Sequence, residues 1–290
     1  MDTLLDAAAL KDRLDGAGGT GQRTVLLDVR WALGDPHGHD HYLREHIPGA
    51  AFVDLATELA GPAEPRRGRH PLPPLEQFQK SARRWGINDA DAVVAYDDSG
   101  NMAAARLWWM LRNAGFRQVH LLDGGLAAWR AAGFELAAGS EQPLPGNVTL
   151  SAGAMPAIDA GQAATWGQRG LLLDARAAER YRGEIEPVDP RAGHIPGAVS
   201  APTTGNLQAD GRFLAPAELR ERFERLGYRA DVPTAVYCGS GVTAAHEIAA
   251  LEIASFSAAL YPGSFSEWCH GAANDVVIGP EPYGEDKASQ

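Results

Sequence analysis

His46-Ile47-Pro48-Gly49-Ala50 returns as His194-Ile195-Pro196-Gly197-Ala198, 148 positions further along a chain of 290 residues. Upstream of each copy an apolar run ends in Asp-x-Arg: Val25-Leu26-Leu27-Asp28-Val29-Arg30, then Leu171-Leu172-Leu173-Asp174-Ala175-Arg176, 146 positions on. Downstream, Val93-Val94-Ala95-Tyr96 is answered 141 positions later by Thr234-Ala235-Val236-Tyr237. Leu122-Asp123-Gly124-Gly125 before Trp129 is answered by Leu260-Tyr261-Pro262-Gly263 before Trp268. Four markers in one order, at a nearly constant offset, describe the duplication of a whole domain and not a solenoid. The halves are expected at 1–136 and 154–290. They are joined by a linker at 137–153 that is rich in Gly, Pro and Ser and nearly free of charge.

Each half reads alike. Val25–Val29, Val93–Tyr96 and Val119–Leu122 have the length and branching of buried strands. Helical patterns lie between them at Leu75–Trp85, Ala103–Ala114, Ala217–Leu226 and Thr243–Leu251. Strands without polar alternation, separated by helices, make an α/β fold: two domains, each a mostly parallel sheet with helices on both faces. In such sheets ligands gather where strands end and helices begin.

Composition bounds the partners. Apolar residues are 45% and charged residues 22%, as in an ordinary globular chain of about two domains. Lys plus Arg number 26 against 37 Asp plus Glu, and the net charge of −11 argues against nucleic acid or a membrane surface as partner. Two cysteines cannot staple this length and suit a reducing compartment, so a cytoplasmic location is expected. Met1–Leu14 reads as an amphipathic helix and lacks the basic start and apolar core of a secretion signal. No apolar run approaches the roughly 18 residues that span a bilayer.

The duplication also serves as a control, because residues that both halves share are expected to be scaffold. His46 and His194 read as turn histidines bonding backbone, and Asp28/Arg30 and Asp174/Arg176 as pairs tying strand ends to turns. The halves part after Tyr96 and Tyr237. The first continues Asp97-Asp98-Ser99-Gly100-Asn101-Met102, the second Cys238-Gly239-Ser240-Gly241-Val242-Thr243. A core cysteine would not be expected to exchange with a carboxylate. Cys238, at a strand end before two glycines and a helix start, sits where inward-turned amides and the helix terminus would hold a thiolate. It is the candidate nucleophile.

Asp-x-Arg, His-Ile-Pro-Gly-Ala, a strand ending in Cys and Gly-Gly-x-x-x-Trp, all in duplicate, resemble the tandem rhodanese-domain sulfurtransferases over roughly Leu4 to Gly279. The resemblance implies a catalytically silent first half, with Asp97 at the cysteine position, and transfer of a sulfane sulfur through a persulfide on Cys238. The loop Cys238–Ala244 is similar to that of the 3-mercaptopyruvate sulfurtransferases. Thiosulfate-specific relatives place basic residues after the cysteine, where this chain has Gly239-Ser240. The expected donor is therefore a small anionic sulfur compound, 3-mercaptopyruvate. The outer sulfur would pass to cyanide or a thiol such as thioredoxin, with the loop residues Gly239, Gly241, Val242 and Thr243 cradling the sulfur.

A keto-acid donor needs a cationic clamp. Arg180 and Arg191 lie between the Asp174–Arg176 marker and the His194 turn and have no arginine opposite them in the first half. Glu179-Arg180-Tyr181 resembles the setting of the family's substrate-binding arginine. Arg191 is the second candidate, with Arg182 as its alternative. Ser240, His70 and Asp54 resemble the family's Ser-His-Asp relay, although Ser99 matches Ser240 in the first half. Arg66-Arg67-Gly68-Arg69 reads as a basic run steering an anion into an acidic protein. No cofactor is expected: Cys-x-x-Cys, His-Glu-x-x-His and a Gly-x-Gly-x-x-Gly opening a helix are all absent. Three rivals remain: thiosulfate sulfurtransferase, a non-enzymatic persulfide carrier, and a phosphatase-type Cys loop. The last needs an arginine six positions after the cysteine, where this chain has Ala244.

Overall fold

The computed structural model describes residues 2–16 and 21–284, which form two compact units. The first comprises Met1–Gly61, Leu72–Met155 and Leu207–Leu214. The second comprises Pro62–Pro71, Pro156–Asn206 and Ala215–Gln290.

In the first unit, strands β1 (Leu4–Leu5), β2 (Thr24–Asp28), β3 (Ala51–Phe52), β4 (Ala92–Tyr96) and β5 (Val119–Leu122) form one parallel sheet of order β1-β5-β4-β2-β3. Helices α1 (Ala7–Leu14), α2 (Gly38–Arg44), α3 (Leu55–Glu58), α4 (Leu75–Arg84), α5 (Ala104–Asn113) and α6 (Gly125–Ala131) connect the strands. Every residue of β4 and β5 is buried, which is the both-faces-covered pattern expected of a parallel sheet. Leu10, Leu26, Ile47, Val94, Tyr96, Leu122, Leu126 and Trp129 form one core cluster here.

The second unit repeats the plan with α7 (Ala160–Trp166), β6 (Leu171–Asp174), α8 (Ala178–Tyr181), β7 (Ala198–Ser200), α9 (Pro216–Arg225), β8 (Thr234–Tyr237), α10 (Thr243–Ile253), β9 (Ala259–Leu260) and α11 (Ser264–Trp268). Its parallel sheet has the order β7-β6-β8-β9, and Ala157 bridges Leu260 at the edge that β1 occupies in the first unit. Leu172, Tyr181, Ile195, Ala198, Tyr237, Phe265 and Trp268 fill the core.

The repeated motifs build the scaffold twice. Tyr96 Oη accepts from Ile47 N at 3.0 Å, and Tyr237 Oη from Ile195 N at 3.1 Å, so the strand-end tyrosine anchors the His-Ile-Pro turn in each unit. His46 and His194 bond the carbonyls of Tyr42 and Tyr181 at 3.0 and 2.8 Å and stack on those rings. Arg30 and Arg176 each grip their Asp through Nε and Nη2, and each Nη2 also reaches the backbone before the turn, at Glu45 O and Gly193 O.

Three features depart from the linear reading. The chain opens with a strand and not with one helix. Leu4 and Leu5 take register with Leu121 and Leu122, and α1 starts only after Asp6, whose side chain accepts from Ala9 N at 2.7 Å. The stretch 137–153 is no loose tether. Its backbone bonds Arg83 O, Ile87 O and Ala114 O of the first unit through Gly146, Val148 and Ser151. Two short segments also belong to the opposite half of the sequence. Arg69 N donates to Ser266 Oγ at 3.0 Å in the second unit, and Phe213 N donates to Asp123 Oδ1 at 3.0 Å in the first. Among the described residues, no helix is long and apolar enough to cross a membrane.

Candidate active site

Strand β8 delivers Cys238 to the carboxyl edge of the second sheet, 1% exposed, and α10 begins five residues later at Thr243. Two short links fasten the intervening loop to the start of α11. Phe265 N donates to Cys238 O at 3.0 Å, and Ser266 N to Gly239 O at 2.8 Å. A third link comes from below: Ser264 Oγ accepts from Cys238 N at 3.1 Å and itself donates to Tyr261 O at 2.8 Å. Ser264 holds a φ of +54°, a left-handed conformation that costs a non-glycine residue about 1 kcal/mol or more. Gly241, at φ +77°, turns its N–H inward to Cys238 Sγ at 3.1 Å.

Charge converges on the same loop. A methyl group added at Gly239 would stand 3.0 Å from Arg69 Nη2 and 3.4 Å from Arg180 Nη1, so two guanidiniums rest against this glycine. Both are held by acids. Arg180 binds the Glu186 carboxylate through Nη2 at 2.6 Å and Nε at 3.2 Å, and reaches Asp189 at 3.2 Å. Arg69 binds the other oxygen of Asp189. Burial pushes the Glu186 carboxyl up, but the hydrogen bonds and charge of Arg180 and the amides of Asp189 and Val188 outweigh it and hold it below the usual range. For Asp189 burial prevails, and its carboxyl is raised despite Arg69 and Arg180. On the loop's other side, Ser240 Oγ and His70 Nδ1 are 2.8 Å apart, within hydrogen-bond reach.

The other candidates make bonds of their own. Arg191 Nη1 donates to Asn274 O at 2.8 Å, and Arg182 pairs with the exposed Glu184. The second guanidinium at Gly239 is instead Arg69, which the sequence reading gave only a steering role. Its place beside His70 was a readable signal, but its partner Asp189 lies 120 residues away. Asp54 lies in the first unit, where it caps α3 by accepting from Ala56 N and Thr57 Oγ1, each at 2.9 Å. Val242 is the N-cap of α10 and Thr243 its first residue. Cys238 and Cys269 are both free thiols. Burial, with the charge of Asp189, pushes Cys269 up to about 11.

The first unit shows the same loop closed by its own side chain. Asp97 is fully buried. Its Oδ1 accepts from Ser99 N and Asn101 N at 2.8 and 2.7 Å, and its Oδ2 from Ala103 N and Ala104 N at 2.8 and 3.0 Å. Burial raises its carboxyl even against these four amides. The corresponding amides in the second unit, 141 positions on, belong to Ser240, Val242, Ala244 and Ala245.

Comparison with known proteins agrees with this duplicated plan. The family model for the Rhodanese-like domain matches residues 6–132 and 158–270. A Mycobacterium tuberculosis protein bearing the name of a thiosulfate sulfurtransferase, SseB, is 46% identical over 264 residues, 89% of this chain and 92% of that protein. A Pseudomonas aeruginosa protein bearing the name of a 3-mercaptopyruvate sulfurtransferase is 48% identical over 262 residues, 88% of this chain and 92% of that one. The crystal structure of SseA from Escherichia coli, described as a 3-mercaptopyruvate sulfotransferase, superposes with a TM-score of 0.80 at 30% identity, covering 91% of this chain and 99% of that one. With the family's domain matched in both units and such relatives aligned along most of its length, the chain belongs to the rhodanese-like family and carries two copies of its domain.

Proposed function

We propose that the protein is a sulfurtransferase that moves a sulfane sulfur from 3-mercaptopyruvate to a thiol or cyanide acceptor through a persulfide on Cys238. The observation that carries this reading is the pair of guanidiniums, Arg69 and Arg180, resting against Gly239 beside the Cys238 thiol. Two forks at that spot suit the carboxylate of a 2-oxo acid. The Cys238 thiolate attacks the donor's sulfur, the carbon–sulfur bond breaks, and its electron pair leaves on pyruvate as the enolate. The donor's own thiol proton balances the step, and in this reading the Ser240–His70 pair passes it to the enolate carbon; the 2.8 Å approach of the two side chains supports that role. A terminal sulfur on Sγ extends toward the amides of the loop, as the Asp97 carboxylate does in the first unit. An acceptor thiolate then takes this outer sulfur and returns Cys238 as a thiolate. Asp97 in place of the cysteine leaves the first unit without a nucleophile.

The name of the Mycobacterium tuberculosis relative favours a second reading, with thiosulfate as donor. The test compares kcat/KM for 3-mercaptopyruvate and thiosulfate with cyanide and dithiol acceptors, in the wild type and in Cys238→Ser. A preference for mercaptopyruvate that vanishes in Cys238→Ser supports the proposal. Preference for thiosulfate replaces the donor and keeps the persulfide, and no transfer from either donor turns the protein into a persulfide carrier. A carrier loaded by a partner protein tolerates Arg180→Ala, whereas a keto-acid enzyme does not.

A further inference from the structure

We propose that the first unit holds a binding site for a small carboxylate at the carboxyl ends of β2, β4 and β5, independent of the Cys238 chemistry. A cavity of about 510 Å³ opens there, lined by Arg30, His41, Arg44, Asp98, Ala127 and Arg130, with Glu45 and Leu126 completing its wall. This volume lies within the range of small-ligand sites, at the strand ends where open parallel sheets receive ligands. Arg30 is 3% exposed. Its Nε and Nη2 are spent on Asp28 and on Glu45 O, and its Nη1 makes no hydrogen bond among the described residues. That nitrogen is open to solvent, on a guanidinium whose other nitrogens fix its position, and so is a donor available to an acceptor.

The duplication shows what kind of acceptor fits. In the second unit the corresponding arginine, Arg176, brings its Nη1 to 3.5 Å from a carboxylate oxygen of Glu186. Among the described residues of the first unit no acid side chain bonds Arg30 Nη1, and Arg30 lines the cavity. Leu126 N bonds Asp97 O as Phe265 N bonds Cys238 O, which puts Arg130 of α6 where the second unit has Cys269. Arg130 and the exposed Arg44 therefore add positive charge to the wall, that of Arg130 partly countered by an ion pair with Glu45. Asp98, close enough to act on the Arg30 charge, gives the cavity one free negative group. One carboxylate on Arg30 Nη1 is thus favoured, and Asp98 suits an uncharged or cationic remainder of the ligand.

The experiment titrates isotope-labelled protein with pyruvate and, separately, with alanine, following the backbone amide resonances of Asp98 and Ala127. The two ligands share the carboxylate and differ in an oxo group or an ammonium, so they separate the two sources of that chemistry. Saturable shifts at both amides that persist in Arg180→Ala are expected. The same shifts should disappear in Ala127→Trp, which fills the cavity from an exposed position on α6. Arg30→Lys, which keeps the charge facing Asp28 and removes the free fork nitrogen, should weaken binding about tenfold or more. Shifts with alanine as well as pyruvate would assign the ammonium to Asp98, and shifts with pyruvate alone would assign an oxo acid. No saturable shift with either ligand, or shifts unchanged in Ala127→Trp, would overturn the proposal whatever the donor at Cys238 proves to be.

Discussion

Residue by residue, the site depends on which side chains stand against Gly239. Arg180 and Arg69 share Asp189, so removing one leaves the other held by a buried acid whose charge is less well compensated. Arg180→Ala and Arg69→Ala are each expected to raise KM for a 2-oxo acid donor, by about tenfold or more for the loss of a charged contact. Arg191→Ala should leave KM unchanged, because its guanidinium serves the Asn274 carbonyl. Steady-state kinetics on the three variants checks the ranking. An Arg191 effect as large as that of Arg180 would return Arg191 to the clamp. Cys238 stands out in the sequence because its counterpart is Asp97, a substitution a packing position would not tolerate. Of the two guanidiniums at Gly239 only one was legible: Arg180 is near its partners in sequence, and Arg69 is far from Asp189.

At the scale of elements, α10 carries the Cys238 loop at one end and a buried polar cluster in its second turn. Glu247 is fully buried. Its Oε2 accepts from Asn206 Nδ2 at 2.6 Å, and Arg222 stands 4.0 Å from its Oε1. The neighbouring His246 bonds Thr203 Oγ1 at 2.6 Å. Burial pushes the Glu247 carboxyl up to about 7, against the opposing pull of Arg222, Asn206 and Thr203. A folded-state value above the unfolded one means the native protein binds the extra proton. Stability contributed by this group is thus complete below the unfolded value near 4.5 and is lost as pH rises through about 7. Glu247→Gln, which keeps a neutral side chain of the same shape, should flatten the fall in melting temperature between mildly acidic and mildly alkaline pH. Thermal unfolding of both proteins across that window measures it. The difference should reach on the order of 3 kcal/mol at the alkaline end. Equal pH dependence in the two proteins would show that Glu247 is charged throughout.

On the scale of the whole molecule, the net charge of −11 opposes the approach of any anionic donor, and the run Arg66-Arg67 offers a local counterweight. Both side chains are exposed, and Arg67 stands 3.5 Å from Glu64. Replacing both with Gln should lower kcat/KM at low ionic strength. The gap to wild type should close as salt shortens the screening length to about 8 Å. A salt-independent difference, or none, would remove steering from the account. At this scale the division between sequence and structure is clear. The order of strands and helices, the duplication and the place of Cys238 at the end of a strand were determined by the sequence alone, because period, turn chemistry and internal repetition are properties of neighbouring residues. The strand at Leu4–Leu5, the pinning of 137–153, and the membership of 62–71 in the second unit and of 207–214 in the first were decided only by tertiary structure. So were the pairing of Arg69 with Asp189 and the open cavity at Arg30. Each of these depends on contacts between residues far apart in the chain, where buried donors and acids find partners that no local pattern encodes.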